Sequence, residues 1–267
     1  MRILLITAVL TVFGMGAQAA VSADQVKKVL NDNPNIILDV LRQNKKAFFE
    51  VVTQAAQEEQ LRRQQEEEEA QKKDIDEHIK NPLVPAITDK TPVLGNRKAR
   101  LTLVEYSDFQ CPHCSRGHQI VETLRKKYGD DLRFIAKTLP LPFHPQAMPA
   151  AQWFKAAALQ SAEKSWAFHD KLFENQEKLG EALYKETAKA LGLNVEKMEK
   201  DAQGQAVKDA IEADTQEAAK FGFTGTPGFL INGVPVRGAY PAEHFESIIE
   251  KLTPGVSGKP DIKPGIK

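Results

Sequence analysis

Cysteine is scarce in this sequence: its 267 residues include two, Cys111 and Cys114. A second disulfide and a four-cysteine zinc site are therefore excluded, and any thiol chemistry falls to this one pair. An excess of charge is missing as well, because 36 basic residues balance 36 acidic ones. A basic face is typical of nucleic-acid-binding proteins, so we expect no nucleic-acid partner.

Long apolar runs are absent beyond the N-terminus. The apolar run at residues 3–16 follows Met1-Arg2, and it is shorter than the roughly 20 residues that a membrane-spanning helix needs. The small residues Ala-Gln-Ala at positions 17–19 are of the kind that a signal peptidase recognises, which predicts cleavage after Ala19. We therefore expect residues 1–19 to be a signal peptide and the mature protein to be exported to the periplasm in soluble form.

Glycine and proline are both missing from residues 35–81. This stretch predicts one long helix that begins at Pro34, after the cap Asn33, and extends for about 70 Å. A shorter helix before it is predicted by the capping box that Ser22 forms with Gln25.

The predicted long helix changes character along its length. Apolar residues recur at steps of three and four in the first half, and Asn44 lies on the same stripe. In coiled coils such a polar residue often fixes the register and the number of strands. The second half is mostly charged, with pairs four residues apart that are typical of a solvated helix. Residues 20–81 are therefore predicted to be a helical oligomerisation and spacer region, with packing onto the rest of the chain as the alternative.

The cysteine pair lies at a predicted junction between a strand and a helix. Residues 101–106 are apolar and β-branched, which predicts a buried strand, and a helical period follows Cys114 as far as Gly129. Pro112 fits the first helical position. The free N–H groups and the dipole at a helix N-terminus stabilise a thiolate, which is the reactive form of cysteine.

This placement predicts different roles for the two thiols. Cys111, before the first turn, is predicted to be the exposed nucleophile, and Cys114, one turn into the helix, the more buried resolving thiol. His113 lies between them and is expected to lower the pKa of Cys111 through its charge or a hydrogen bond.

Other interpretations of the pair stay open. A metal site would need His113, His118 or His144 to complete its ligands, and a periplasmic copper- or zinc-binding protein that uses Cys111, Cys114 and His113 is the alternative function. A structural disulfide, and a structural adhesin-like trimer, are the remaining alternatives. We interpret His144 and His169, which could line a groove, as satisfied surface or core residues.

The segment from Glu105 to Cys114, Glu-Tyr-Ser-Asp-Phe-Gln-Cys-Pro-His-Cys, resembles the active site of the DsbA family of thiol–disulfide oxidoreductases. The resemblance covers roughly residues 92–252 and implies a thioredoxin-like α/β fold without a cofactor. It implies that Glu105 is the buried acid that serves the resolving cysteine and that Lys137 pairs with that acid. It also implies that Thr226 and Pro227 form a cis-proline loop that packs against the redox pair and binds the substrate backbone.

The order of the predicted segments is similar to that of ScsC-type proteins, DsbA relatives whose N-terminal helices form a trimer. This similarity implies a homo-oligomer, with a trimer favoured, that acts on exported proteins with cysteines and has a membrane redox partner. Pro112-His113 resembles strongly oxidising members and Thr226 resembles isomerases, so the direction of the reaction stays open.

The predicted domain order completes the sequence-based description. Residues 82–253 are predicted to form the thioredoxin-fold domain, with a helical insertion at about 146–221. Residues 254–267 contain proline, glycine and lysine without periodicity and are predicted to be a disordered tail.

Overall fold

The computed structural model describes residues 21–88 and 91–255. The predicted signal peptide and nearly all of the predicted tail lie outside the described residues. Internal contacts divide the chain into two compact units, Met1–Glu68 and Glu69–Lys267.

The described part of the first unit, from residue 21 onward, consists of helices. They are α1 (Ala23–Asp32), α2 (Pro34–Gln43) and the beginning of α3 (Lys45–Lys80), and α1 begins with the predicted capping box of Ser22 and Gln25. The prediction of one unbroken helix from Pro34 is wrong, because the chain leaves helical geometry at Asn44, with φ −111° and ψ 32°. The side-chain amide of Asn44 donates to the carbonyl oxygen of Val40 at 2.8 Å, and such local bonds of asparagine compete with the helical ladder.

The last turns of α3 belong to the second unit. Ile75 is 7% exposed and packs in the main core, with Ile79 beside it. Asp74 and Asp76, on the same turns, form ion pairs with Arg237 and Lys251. This end of α3 is therefore anchored by a buried side chain and is not the solvated spacer that its charged composition predicted.

A four-stranded sheet forms the centre of the second unit. Its strands are β1 (Leu101–Ser107), β2 (Leu132–Thr138), β3 (Gly228–Ile231) and β4 (Val234–Arg237), in the order β2-β1-β3-β4. β1 and β2 are parallel and are joined by α4 (Pro112–Tyr128), as predicted, whereas β3 pairs antiparallel with both β1 and β4. The Asn232-Gly233 turn, with positive φ at both residues, closes the last hairpin.

Five helices form the predicted insertion between β2 and β3. They are α5 (Ala147–Gln160), α6 (Ala162–Glu174), α7 (Glu181–Ala190), α8 (Val195–Ala202) and α9 (Gln205–Lys220), and α10 (Ala242–Leu252) follows the sheet. The insertion has an apolar core of its own, which also contains Phe109, Cys111 and Cys114. The cysteine pair therefore lies where the insertion meets the sheet. In the described part of the chain, no helix is both long and apolar enough to cross a membrane.

Candidate active site

The two cysteines lie at the N-terminus of α4. Cys111 is the N-cap residue in extended geometry, Pro112 occupies the first helical position, and Cys114 lies one turn in. Both are free thiols. Cys111 is 4% exposed and Cys114 is fully buried, so the expectation of an exposed nucleophile is wrong. Cys111 is covered because it packs in the core of the insertion, which the sequence near the pair does not reveal.

The electrostatic environment distinguishes the two thiols. A hydrogen bond with the thiol of Cys114 lowers the pKa of Cys111 well below its usual range, and the backbone N–H groups of Cys114 and His113 lower it further. Burial raises the pKa of Cys114, and the neighbouring groups Cys111 and Glu105 raise it too. Opposite shifts in neighbouring titratable groups assign opposite roles. Cys111 has the chemistry of a nucleophile and leaving group, and Cys114 that of a thiol that reacts only after losing its proton.

The His113 ring has a different partner from the one expected. It is exposed and accepts a hydrogen bond from the guanidinium of Arg116. His113 therefore acts on the thiolate through its backbone N–H. The guanidinium of Arg116, one turn further along α4, adds positive charge at this edge of the site.

Glu105 is a fully buried carboxyl group on β1. Its Oε1 accepts from the hydroxyl of Ser107 at 2.8 Å, and its Oε2 has no hydrogen-bond partner among the described residues. Burial raises the pKa of Glu105 to about 8, against the opposing effect of the Ser107 hydrogen bond. A carboxyl group with this pKa can exchange a proton with Cys114 near neutral pH.

Lys137 does not pair with Glu105, so that prediction is wrong. In the parallel register Glu105 is opposite Ala136, while Lys137 is opposite Tyr106. Successive side chains of a strand point to opposite faces of the sheet, so Lys137 and Glu105 lie on opposite faces. Lys137 instead bonds to Glu217 of α9 and lies 3.7 Å from Asp214.

The Thr226-Pro227 loop lies beside Cys111, as expected. Its peptide bond is cis, and the Cys111 thiol donates to the carbonyl oxygen of Thr226 at 3.6 Å. That contact is available to a thiol and not to a thiolate. A cavity of about 240 Å³ next to the loop is lined by Phe223, Pro227, Arg237 and their neighbours.

Gly117 lets α4 approach the acid and the proline loop. A Cβ atom at this position would lie 3.1 Å from Phe229, 3.2 Å from Oε1 of Glu105 and 3.4 Å from Pro227. Those contacts are tighter than the packing of a protein core normally allows. Gly117 is therefore a positioning residue that sequence reasoning missed, although a glycine inside a helix was a visible signal.

Two further side chains hold the loop before Cys111. The buried carboxylate of Asp108 accepts from the backbone of Gln110 at 2.8 Å and bonds to His144 at 2.7 Å. The side-chain amide of Gln176 donates to the carbonyl oxygens of Phe109 and Cys111 at 2.8 and 2.9 Å. The short-range turn at Asp108 could have been recognised in the sequence. The Gln176 contact spans 65 residues and could not.

Metal binding by the cysteine pair has little support in this geometry. Among the residues that the structure describes, the group of three ligand-type side chains that comes together is His118, His169 and Asp170, and it contains no cysteine. His113 faces Arg116, and His144 is held by Asp108.

Comparisons with known proteins agree with this fold. Residues 87–251 match a family model described as thioredoxin. A thioredoxin-like oxidoreductase from Silicibacter pomeroyi is 28% identical, with a TM-score of 0.56, over 61% of this chain and 92% of its own. The catalytic domain of ScsC from Proteus mirabilis is 22% identical, with a TM-score of 0.54, over 62% of this chain and 90% of its own. The second likeness concerns the fold alone, and the expected thioredoxin-like fold is confirmed.

A longer relative shares the same segment. The Na⁺/H⁺ antiporter NhaA 1 of Mycolicibacterium vanbaalenii is 34% identical over 176 residues, which are 65% of this chain and 28% of that protein. This chain therefore spans less than a third of the length of that relative, and the likeness concerns the shared segment alone.

Proposed function

Because this chain belongs to the thioredoxin family, we propose that it is a thiol–disulfide oxidoreductase that acts on exported proteins in the periplasm. The observation that carries the proposal is the placement of two free thiols one turn apart at the N-terminus of α4, with Cys111 beside the carbonyl oxygen of Thr226 and Cys114 fully buried. A structural disulfide would require neither a stabilised thiolate nor a buried carboxyl group beside the second cysteine. The adhesin-like alternative likewise gives no role to these features.

The proposed reaction passes through a mixed disulfide. A substrate thiolate attacks the sulfur of Cys111 in the Cys111–Cys114 disulfide, and the thiolate of Cys114 leaves and takes up a proton. A second substrate thiolate then attacks the substrate sulfur of the mixed disulfide and releases the Cys111 thiolate. The substrate loses two electrons and gains a disulfide, and the protein becomes a dithiol. The same steps in reverse reduce a substrate disulfide, and two such attacks in sequence rearrange one.

Glu105 is proposed to move the proton of Cys114. When Cys114 leaves as a thiolate in a fully buried site, its charge has no water to stabilise it. A protonated Glu105, whose pKa is about 8, can supply the proton. In the reverse direction the ionised carboxylate accepts it.

The low pKa of Cys111 favours the dithiol form. A stabilised thiolate is the better leaving group, so substrates are oxidised readily. Isomerisation requires in addition that the dithiol form persists. The threonine at position 226, before the proline, resembles the residue of isomerases at this place. We propose that the site of a single chain can both oxidise substrates and rearrange their disulfides. Assembly into an oligomer is proposed to determine which of the two reactions prevails.

The N-terminal helices are proposed to form a homo-oligomer, with a trimer favoured. Apolar side chains of this unit lie exposed in the single chain: Val26, Val29, Ile36, Ile37, Leu38, Val40, Phe48, Phe49, Val51, Val52 and Leu61. Exposed apolar patches of this extent mark interaction surfaces. Copies of the same chain are the proposed partner, since the stripe at steps of three and four is typical of self-associating helices.

The test of the activity uses the two cysteines separately. Cys114→Ser leaves Cys111 able to attack a substrate disulfide but removes the resolving thiol, so a mixed disulfide with the substrate should accumulate. Cys111→Ser should form none, although it retains one thiol of the pair. An unfolded substrate protein with scrambled disulfides, and a gel without reductant, make the adduct visible. Equal adducts in both variants, or none in either, would contradict the proposal.

A further inference from the structure

Three side chains of the types that bind metal ions lie close together between α4 and α6. His118 is on α4, one turn beyond Cys114, and His169 and Asp170 are on α6. Their candidate ligand atoms all lie within 4.8 Å of one another. Nδ1 of His169 is 3.0 Å from a carboxylate oxygen of Asp170. None of the three takes part in the proposed thiol chemistry.

His169 is buried with an unused nitrogen. The residue is 1% exposed, and its Nε2 has no hydrogen-bond partner among the described residues. A buried polar atom without a partner is unfavourable and uncommon in native proteins, so this nitrogen calls for an explanation. The ring cannot reorient freely, because aromatic rings contact it on several sides: Phe109, Phe134, Phe154, Trp166 and Phe173.

The ring of His118 is also held in place by neighbouring rings. Its ring stacks on Phe173 at an interplanar angle of 15° and lies 5.5 Å from the His169 ring. A histidine ring nitrogen is among the commonest metal ligands in proteins.

Asp170 supplies the negative charge and the route of entry. Its side chain is 38% exposed, whereas that of His169 is 2% exposed. Its carboxylate lies 3.0 Å from Nδ1 of His169. Glu122 and Glu174 also lie close enough to His118 to interact with it electrostatically. Their negative charges attract cations, and the positive charge of Arg125 opposes this attraction.

We propose that His118, His169 and Asp170 form a binding site for one divalent first-row transition-metal ion of the Zn²⁺ or Cu²⁺ type. Two imidazoles and a carboxylate are ligands that these ions share, whereas Mg²⁺ and Ca²⁺ require oxygen. Three protein ligands leave a coordination position open, which is typical of exchangeable sites and not of closed structural ones. Tetrahedral coordination needs ligand atoms about 3.3 Å apart, at bond lengths of about 2.0–2.1 Å. The half-exposed Asp170 can make that adjustment.

The test must prevent the thiols of Cys111 and Cys114 from binding the metal. Full-length mature protein in its disulfide form, and Cys111→Ser/Cys114→Ser as a second thiol-free form, are titrated with ZnCl₂ and CuCl₂ by calorimetry. CoCl₂ is added as a spectroscopic probe, since its visible absorption reports the coordination geometry. We expect one ion per chain in both forms.

Substitution of the ligands locates the site. His118→Gln and Asp170→Asn should each weaken binding at least tenfold, by analogy with the losses seen on removing supporting residues of metal sites. The matched control is His244→Gln, because His244 is another partly buried histidine whose Nε2 lacks a partner, and it stacks on Tyr240 away from this cluster. Its affinity should equal that of the parent protein.

Three outcomes would overturn the assignment. They are no binding of any of the three ions, unchanged binding in both ligand variants, and an equal loss in His244→Gln. His169 lies in the aromatic core, so its substitution could unfold the protein, whereas His118 and Asp170 are more accessible. Circular dichroism of each variant checks that it folds. A failure of the oxidoreductase proposal would show in the trapping experiment and leave this result unaffected.

Discussion

At the residue scale, the site depends on two pairs of neighbours: Cys111 with Cys114, and Cys114 with Glu105. The first pair lowers one thiol pKa and raises the other. The second places a buried carboxyl group beside the thiol that must gain and lose a proton.

The Cys114 thiol should matter more than the His113 ring for the acidity of Cys111. Cys114→Ala removes the main hydrogen-bond donor to the thiolate, so the pKa of Cys111 should rise markedly. His113→Ala keeps the backbone N–H and should change it less. Thiolate absorbance of the reduced proteins as a function of pH measures both. A larger change in His113→Ala would show that the ring, not the helix terminus and Cys114, stabilises the thiolate.

The buried Glu105 should make the reduced protein less stable as the pH rises. Its pKa is about 8 when folded and 4.5 in its ordinary state, so the folded form binds more protons between these values. The free energy of unfolding then falls with rising pH, by at most about 1.4 kcal/mol per pH unit from this group. The low pKa of Cys111 contributes the opposite slope in both proteins, so the test is the difference between them: the stability of Glu105→Gln relative to the parent should increase from pH 5 to pH 8. Urea unfolding at several pH values tests this, with the exposed Glu243→Gln as control; parallel curves for parent and Glu105→Gln would disprove it.

Sequence reasoning found the reactive residues but not all of their contacts. The cysteine spacing and the Thr226-Pro227 segment were recognisable because each is a local pattern. The Glu105–Lys137 pair failed because two strand residues whose register differs by one position face opposite sides of the sheet. The Gln176 contacts come from the insertion, and no local pattern encodes them.

At the element scale, α4 carries the reactive pair at its beginning and packs closely on the sheet at its second turn. Gly117 makes that approach possible. The strand–helix–strand unit was predictable from the alternation of β-branched and helical patterns. The break at Asn44 was not, because a polar residue on an apolar stripe indicates a coiled-coil register and a helix interruption equally well.

Gly117→Ala should destabilise the protein although alanine is the better helix former. The gain in helix propensity is about 1 kcal/mol, while forcing a methyl group into a packed core costs about 1–3 kcal/mol. The neighbours at 3.1 and 3.2 Å are side chains on β3 and β1 that are themselves fully buried, so the net effect should be a loss of about 1 kcal/mol. Denaturant unfolding measures it. The control is Gln119→Ala, at an exposed position of the same helix. If Gly117→Ala were as stable as this control, the neighbouring side chains of the sheet would be able to move and make room for the methyl group.

At the scale of the whole molecule, assembly and redox direction are proposed to be linked. Several active sites in one oligomer raise the local thiol concentration at a bound substrate. They also hinder a partner that would re-oxidise the pair. Both effects favour rearrangement of disulfides over their net formation.

A charge placed on the apolar stripe should separate the two activities. Ile37→Asp should convert the oligomer into a monomer that still oxidises a reduced substrate but loses most of its ability to refold a scrambled one, because burying the aspartate is costly. Gln57→Asp, on an exposed polar position of α3, is the control and should leave both the oligomer and the activity unchanged. Sedimentation gives the mass, and two substrate assays give the activities. A parent protein that sediments as a monomer, or equal isomerisation by both variants, would refute the link.

The position of the two tryptophans gives the protein an optical label for one of its halves. Trp153 in α5 and Trp166 in α6 are both buried, Trp153 in the core of the insertion and Trp166 in the main core, and the chain contains no other tryptophan. Emission from these rings therefore follows the second unit alone, whereas far-ultraviolet circular dichroism also detects α1, α2 and all of α3. Melting curves recorded by the two methods on one sample coincide for a single cooperative transition and diverge when the units unfold separately. The cooperativity between the two units can thus be measured without attaching a dye.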